Sequence, residues 1–119
     1  MADIMEDMDP DVLSFIKQHV RSFVRWDVLR FLYENPGTWD TAENLAVYVG
    51  RGPEQVRGEI GQMACEGLLR QDGRGPGPTF GLTENSQTLQ LLERLVSASQ
   101  DRTFRMKLVY HILRAGGEK

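Results

Sequence analysis

From Asp11 to Asn35 the chain runs without Gly or Pro, and its apolar residues fall at Val12, Phe15, Ile16, Val20, Phe23, Val24, Val28, Phe31 and Leu32. Spacings of three and four put these residues on one face of a helix. Asp9 or Asp11 can cap its start, with Pro10 in or beside the first turn. The run is long for one globular helix, so a break is expected near Arg21–Arg25. That leaves a leading helix and a second one from Ser22 to Glu34. Asn35-Pro36-Gly37 ends the second helix, because Pro36 brings no donor and restricts the residue before it.

Thr38-Trp39-Asp40 is short enough to be an isolated β-bridge strand. Asp40 is expected to cap a helix from Thr41 to Val49, with Glu43 placed as in a capping box. Gly50 suits a left-handed end to that helix, and Pro53 suits the first position of the next. The next helix, 53–66, carries Val56, Ile60, Met63 and Ala64 on one face and ends around Gly67. Leu68–Gln71 and Thr79–Leu82 read as the two strands of a hairpin, joined by the turn-rich Asp72-Gly73-Arg74-Gly75-Pro76-Gly77-Pro78. Thr83 is expected to cap a helix from Glu84 to about Ser97, on which Leu89, Leu92, Leu95 and Val96 are apolar. Asp101 caps a last helix to Arg114, with Phe104, Leu108, Val109, Ile112 and Leu113 inside.

The resulting class is mainly α with a small β-hairpin. Leu45, Ala46, Val49 and Gly50, followed by Val56, Ile60, Met63, Gly67, Leu68 and Leu69, stand at the spacing of a helix-turn-helix running into a wing. Small Ala46 lets two helices cross closely, and Gly50 permits the turn between them. From about Ser22 to Leu82 the chain resembles the winged helix-turn-helix transcriptional regulators of bacteria and archaea, the broad group that includes the MarR and PadR families. Length predicts one domain over 11–119, with the winged-helix core at 22–83 and extra helices at 11–21 and 84–115. The resemblance implies that the recognition helix 53–66 enters the major groove of duplex DNA and that the wing, 70–82, meets the backbone or minor groove. Carried over by position, Gln55 and Gln62 are candidates for adenine edges and Arg57 for guanine or phosphate. Thr41, Arg51 and Arg74 are candidates for phosphate. Gly58 lies on the same outward face.

Charge complicates this expectation. The chain has 14 Lys+Arg against 17 Asp+Glu, a formal net charge of −3, so bulk charge does not suit coating of nucleic acid. The expected recognition helix sets Arg57 against Glu54, Glu59 and Glu66, and Gly58 and Gly61 are costly inside a helix. These features favour an alternative, a winged helix that binds a protein instead of DNA. The last helix is apolar on more than one face. A homodimer through Phe104, Leu108, Val109 and Ile112 is expected from that pattern, the other reading being packing within the chain.

The remaining features narrow the function classes. Residues 1–10 hold Asp3, Glu6, Asp7 and Asp9 with no base, and read as a disordered acidic head. They lack a basic leader, so a cytoplasmic location is expected. One cysteine and two distant histidines assemble no catalytic set, no disulfide framework and no metal cluster, so neither an enzyme nor a cofactor is expected. Cys65 reads as a small helix residue, and His19 and His111 as surface or partly buried side chains. Trp26, Trp39 and Tyr48 read as core and helix-packing residues.

Overall fold

A computed structural model describes residues 8–73 and 77–116. The expected acidic head is therefore described only from Met8. Its last residues are ordered: Met8 is buried, and Asp9 caps helix α1 (Pro10–His19), accepting from the backbone N–H of Asp11 at 2.9 Å. Pro10 opens that helix. The expected break falls at Val20-Arg21, where Ser22 takes the cap of α2 (Phe23–Glu34) and accepts from Arg25 N at 3.1 Å.

Helix α3 (Ala42–Val49) ends on Gly50 at φ 71°, the left-handed conformation that its lack of a Cβ permits. Helix α4 (Pro53–Cys65) follows the turn. Strands β1 (Leu69–Asp72) and β2 (Thr79–Leu82) pair antiparallel, with Leu69 opposite Leu82 and Asp72 opposite Thr79. Asp40 adds the expected isolated bridge, opposite Phe80. Helices α5 (Ser86–Ala98) and α6 (Arg102–Arg114) are separate elements, and Asp101 caps the second. Among the described residues the protein is thus mainly helical with one small two-stranded antiparallel sheet.

Two caps differ from expectation, for one reason. Thr41, not Asp40, caps α3, because the Asp40 backbone is tied to Phe80 in both directions. Asn85, not Thr83, caps α5, because Thr83 N donates to Leu68 O at 3.0 Å. Backbone bonds to a neighbouring element hold each upstream residue outside the helix.

One hydrophobic cluster joins all the helices and the hairpin. Val24, Val28, Leu29 and Leu32 of α2 stand at its centre with Leu45, Val56, Ile60 and Met63, and Leu92, Leu95, Leu108 and Ile112 close it. Trp26 is buried as expected. Trp39 and Tyr48 are exposed, which corrects their reading as core residues. Tyr48 stacks on Phe31 and donates to Asp40 Oδ2 at 2.6 Å. That bond holds the Asp40 carboxyl below its ordinary range and pushes the Tyr48 hydroxyl up. Trp39 lies so close on Gly81 that a Cβ there would meet its ring at 2.8 Å, while the Arg70 guanidinium stands 4.6 Å from the ring centroid. The indole thereby pins the segment before α3 to the hairpin.

Candidate functional site

Helix α4 crosses α2 and α3 with Val56, Ile60 and Met63 facing inward. Its opposite face is exposed at Gln55, Arg57, Gly58, Gly61, Gln62 and Cys65. A Cβ built on Gly58 or Gly61 meets nothing within 4 Å. Internal packing therefore does not require either glycine. Gly58→Ala and Gly61→Ala should each raise stability by up to about 1 kcal/mol, through the helix propensity of alanine. Chemical denaturation checks this, and a loss of stability would mean that the fold needs the bare backbone.

The acids of α4 do not share that face equally. Glu59, Gln62 and Glu66 lie along one side of the helix and close around Arg25 of α2, which is 1% exposed. Arg25 Nε donates to Glu59 Oε2 at 3.0 Å. Its Nη1 donates to Glu66 Oε1 at 2.8 Å and to the His19 carbonyl at 3.1 Å. Its Nη2 donates to Glu66 Oε2 at 2.9 Å and to Gln62 Oε1 at 3.1 Å. All five guanidinium N–H groups thus find an acceptor, as a buried arginine requires. Ser22 Oγ also donates to Glu59 at 2.8 Å, His19 Nδ1 lies 2.9 Å from Glu66, and Arg21 donates to Glu66 at 3.1 Å. The Arg25 bonds hold the Glu66 carboxyl at about 2, against an ordinary 4.5.

The sequence-derived candidates fall into place unevenly. Arg51 Nε donates to Asp27 at 2.7 Å. Arg57 Nε donates to Glu43 of α3 at 2.7 Å, and that bond lowers the Glu43 carboxyl. Gln55 Oε1 accepts from Gly52 N at 3.1 Å, and Gln62 Oε1 is held by Arg25. Bidentate reading of adenine needs both ends of the amide, so neither glutamine is poised for it in this arrangement. Thr41 Oγ1 caps α3 by accepting from Asn44 N at 3.2 Å. Gly58 is open, and Arg74 lies outside the described residues.

The expected dimer face is also redistributed. Leu108 and Ile112 are fully buried within the chain and Phe104 packs against the same cluster, so of the four residues Val109 alone is exposed. The inner row of α6 meets the protein's own core, as amphipathic spacing allows when a helix has a neighbour on one side.

An open groove of about 580 Å³ runs beside the α4 face, between Arg21 and Ser22 at the head of α2, Gly58 and Gln62 on α4, and Ala115 and Gly116 after α6. Among the described residues no group of three or more His, Cys, Asp or Glu is arranged to hold a metal ion. None of the described helices is long and apolar enough to cross a membrane. No family model, curated protein or solved structure matches the chain.

Proposed function

We propose that the chain is a winged-helix protein that binds duplex DNA in a sequence-specific manner as a transcriptional regulator, with α4 in the major groove and the hairpin as the wing. One observation carries the reading. Glu59 and Glu66 bend back onto Arg25, and Arg21 brings a second cation to Glu66, so two of the three acids that made this helix look unsuited to DNA are paired within the fold. The outward face keeps Glu54, Arg57 and the bare backbone at Gly58 and Gly61, which admits a close approach by phosphate and sugar.

Arg57 and Glu43 are half exposed, and solvent screens pairs of that kind, so they contribute little. Exchanging the carboxylate for a phosphate therefore costs little. Arg51 stands at the start of the same helix for a second phosphate. Two copies meet on DNA when two half-sites lie one helical turn apart, about 34 Å.

The test is fluorescence anisotropy with duplex fragments from upstream of the protein's own gene at about 50 and 200 mM salt. Binding that resists competitor DNA and weakens steeply with salt is expected. Arg57→Ala should weaken it roughly tenfold and flatten the salt dependence by about one phosphate contact. An unchanged affinity in that variant would remove Arg57 from the interface.

A specific observation favours the second reading, a protein-binding winged helix. The cations around α4 are all engaged: Arg21 with Glu66, Arg51 with Asp27 and Arg57 with Glu43. A face so balanced suits a partner of low charge. Absence of DNA binding at 50 mM salt, together with capture of a protein that Gly58→Glu abolishes, would establish this reading instead.

A further inference from the structure

Helix α6 leaves a second apolar row outside the core. Met106, Val109, Tyr110 and Leu113 are 62%, 42%, 39% and 52% exposed. At about 100° per residue they form one stripe along the helix. Arg102 stands at its head, Arg105 borders one side, and Lys107 and Arg114 border the other. From Arg102 to Arg114 there is no Asp or Glu. A contiguous apolar row with a charged border marks an interaction surface and not a fold requirement.

We propose that this face of α6 docks an amphipathic helix of another protein, one whose own apolar row is bordered by carboxylates. Charge decides against a second copy of this chain as the occupant. Antiparallel pairing of two α6 helices about Val109 and Tyr110 sets Met106 opposite Leu113, and it brings Lys107 of one copy beside Arg114 of the other, because both border the same side. Parallel pairing sets the Arg105 side of one copy against the Lys107 and Arg114 side of the other. Both arrangements hold like charges together beside the contact, whereas a carboxylate border meets this basic rim with the opposite charge.

The geometry readies two of these cations. Arg105 Nη1 donates to the carbonyls of Ser99 and Gln100 at 3.0 and 2.9 Å, which fixes its guanidinium at the edge of the stripe. Arg114 Nη1 donates to the Tyr110 hydroxyl at 2.8 Å and so holds that ring as part of the stripe. The row spans about 10 Å, so the interface is small and the expected affinity is micromolar. This docking uses a different helix from the DNA face and stands or falls apart from it.

The experiment titrates the full chain into two fluorescein-labelled synthetic helical peptides. Both carry the same leucine row, one bordered by Glu and the other by Lys. The Glu peptide should bind in the micromolar range and release as salt rises, and the Lys peptide should bind at least tenfold more weakly. Leu113→Gln and Val109→Gln should each weaken the Glu peptide at least tenfold while the melting temperature stays unchanged. Equal binding of the two peptides, or unchanged binding by both variants, overturns the proposal. So does a sedimentation mass of two chains that falls to one in Leu113→Gln, which would make the face a self-interface. Co-sedimentation with phosphatidylserine vesicles that Leu113→Gln abolishes would make it a lipid surface and overturn the proposal equally.

Discussion

Arg25→Ala should cost about 3–5 kcal/mol of folding stability, a fall of roughly 10–20 °C in melting temperature for a chain of this size. The side chain is 1% exposed, and its five donors satisfy acceptors from α1 and α4. Removing it leaves Glu59 and Glu66 facing each other across the vacated space, where only the exposed Arg21 and the His19 ring remain near Glu66. The cost comes from those stranded carboxylates more than from the lost bonds. Arg25→Lys should recover little of it, because an ammonium lacks the planar fork that meets two carboxylates at once. The triple replacement Arg25→Met/Glu59→Leu/Glu66→Leu should recover much of it, because no unpaired charge is left. Chemical denaturation of the purified variants measures all three. An Arg25→Ala protein within about 1 kcal/mol of the wild type would show that the cluster is peripheral to the fold.

The second large effect is a pH dependence set by Glu66. Its carboxyl is held at about 2 in the folded chain, chiefly by the Arg25 hydrogen bonds, against an ordinary 4.5 when unfolded. A depressed folded value means that the unfolded state binds the proton first. The stabilisation is therefore complete above about pH 4.5 and is lost as the pH falls toward 2. Allowing for the partial exposure of the side chain, it amounts to roughly 2 kcal/mol. Other carboxylates also titrate in this window, so the informative quantity is the difference between wild type and Glu66→Gln. That difference should be largest near neutral pH and should close by about pH 2. A gap that stays constant from pH 6 to pH 2 would separate the role of Glu66 from its ionisation.

Much of the architecture was legible along the chain. Ser22, Gly50, Pro53 and Asp101 announce their element boundaries by their own chemistry, and the isolated bridge at Asp40 fits the shortness of Thr38-Trp39-Asp40 between two helices. The caps at Thr41 and Asn85 were not legible, because Asp40 and Thr83 are equally good caps until a neighbouring strand binds their backbones. The candidate site was less legible still. A charge sum along the sequence treats every polar residue of α4 as facing solvent. The signal against that count was present: Glu59, Gln62 and Glu66 recur at spacings of three and four, beside the apolar row Val56, Ile60 and Met63. Arg25 likewise sits among Val24, Trp26, Val28 and Leu29, where a lone charge needs buried partners. Their meeting across two helices depends on the crossing of α2 and α4, which periodicity alone does not give. The same limit applies to α6, where the pattern showed two apolar faces but not which of them meets the chain's own core.

We propose that the outward face of α4 serves duplex DNA and not the fold. The most direct measurement is duplex binding by Gly58→Glu beside the wild type, at about 50 mM salt, with melting temperatures of both. Open space at Gly58 predicts that the variant folds as well as the wild type. The added side chain and negative charge, placed where the phosphates approach, should weaken binding at least tenfold. Equal affinity of the two proteins, or no binding by the wild type at low salt, would contradict the claim.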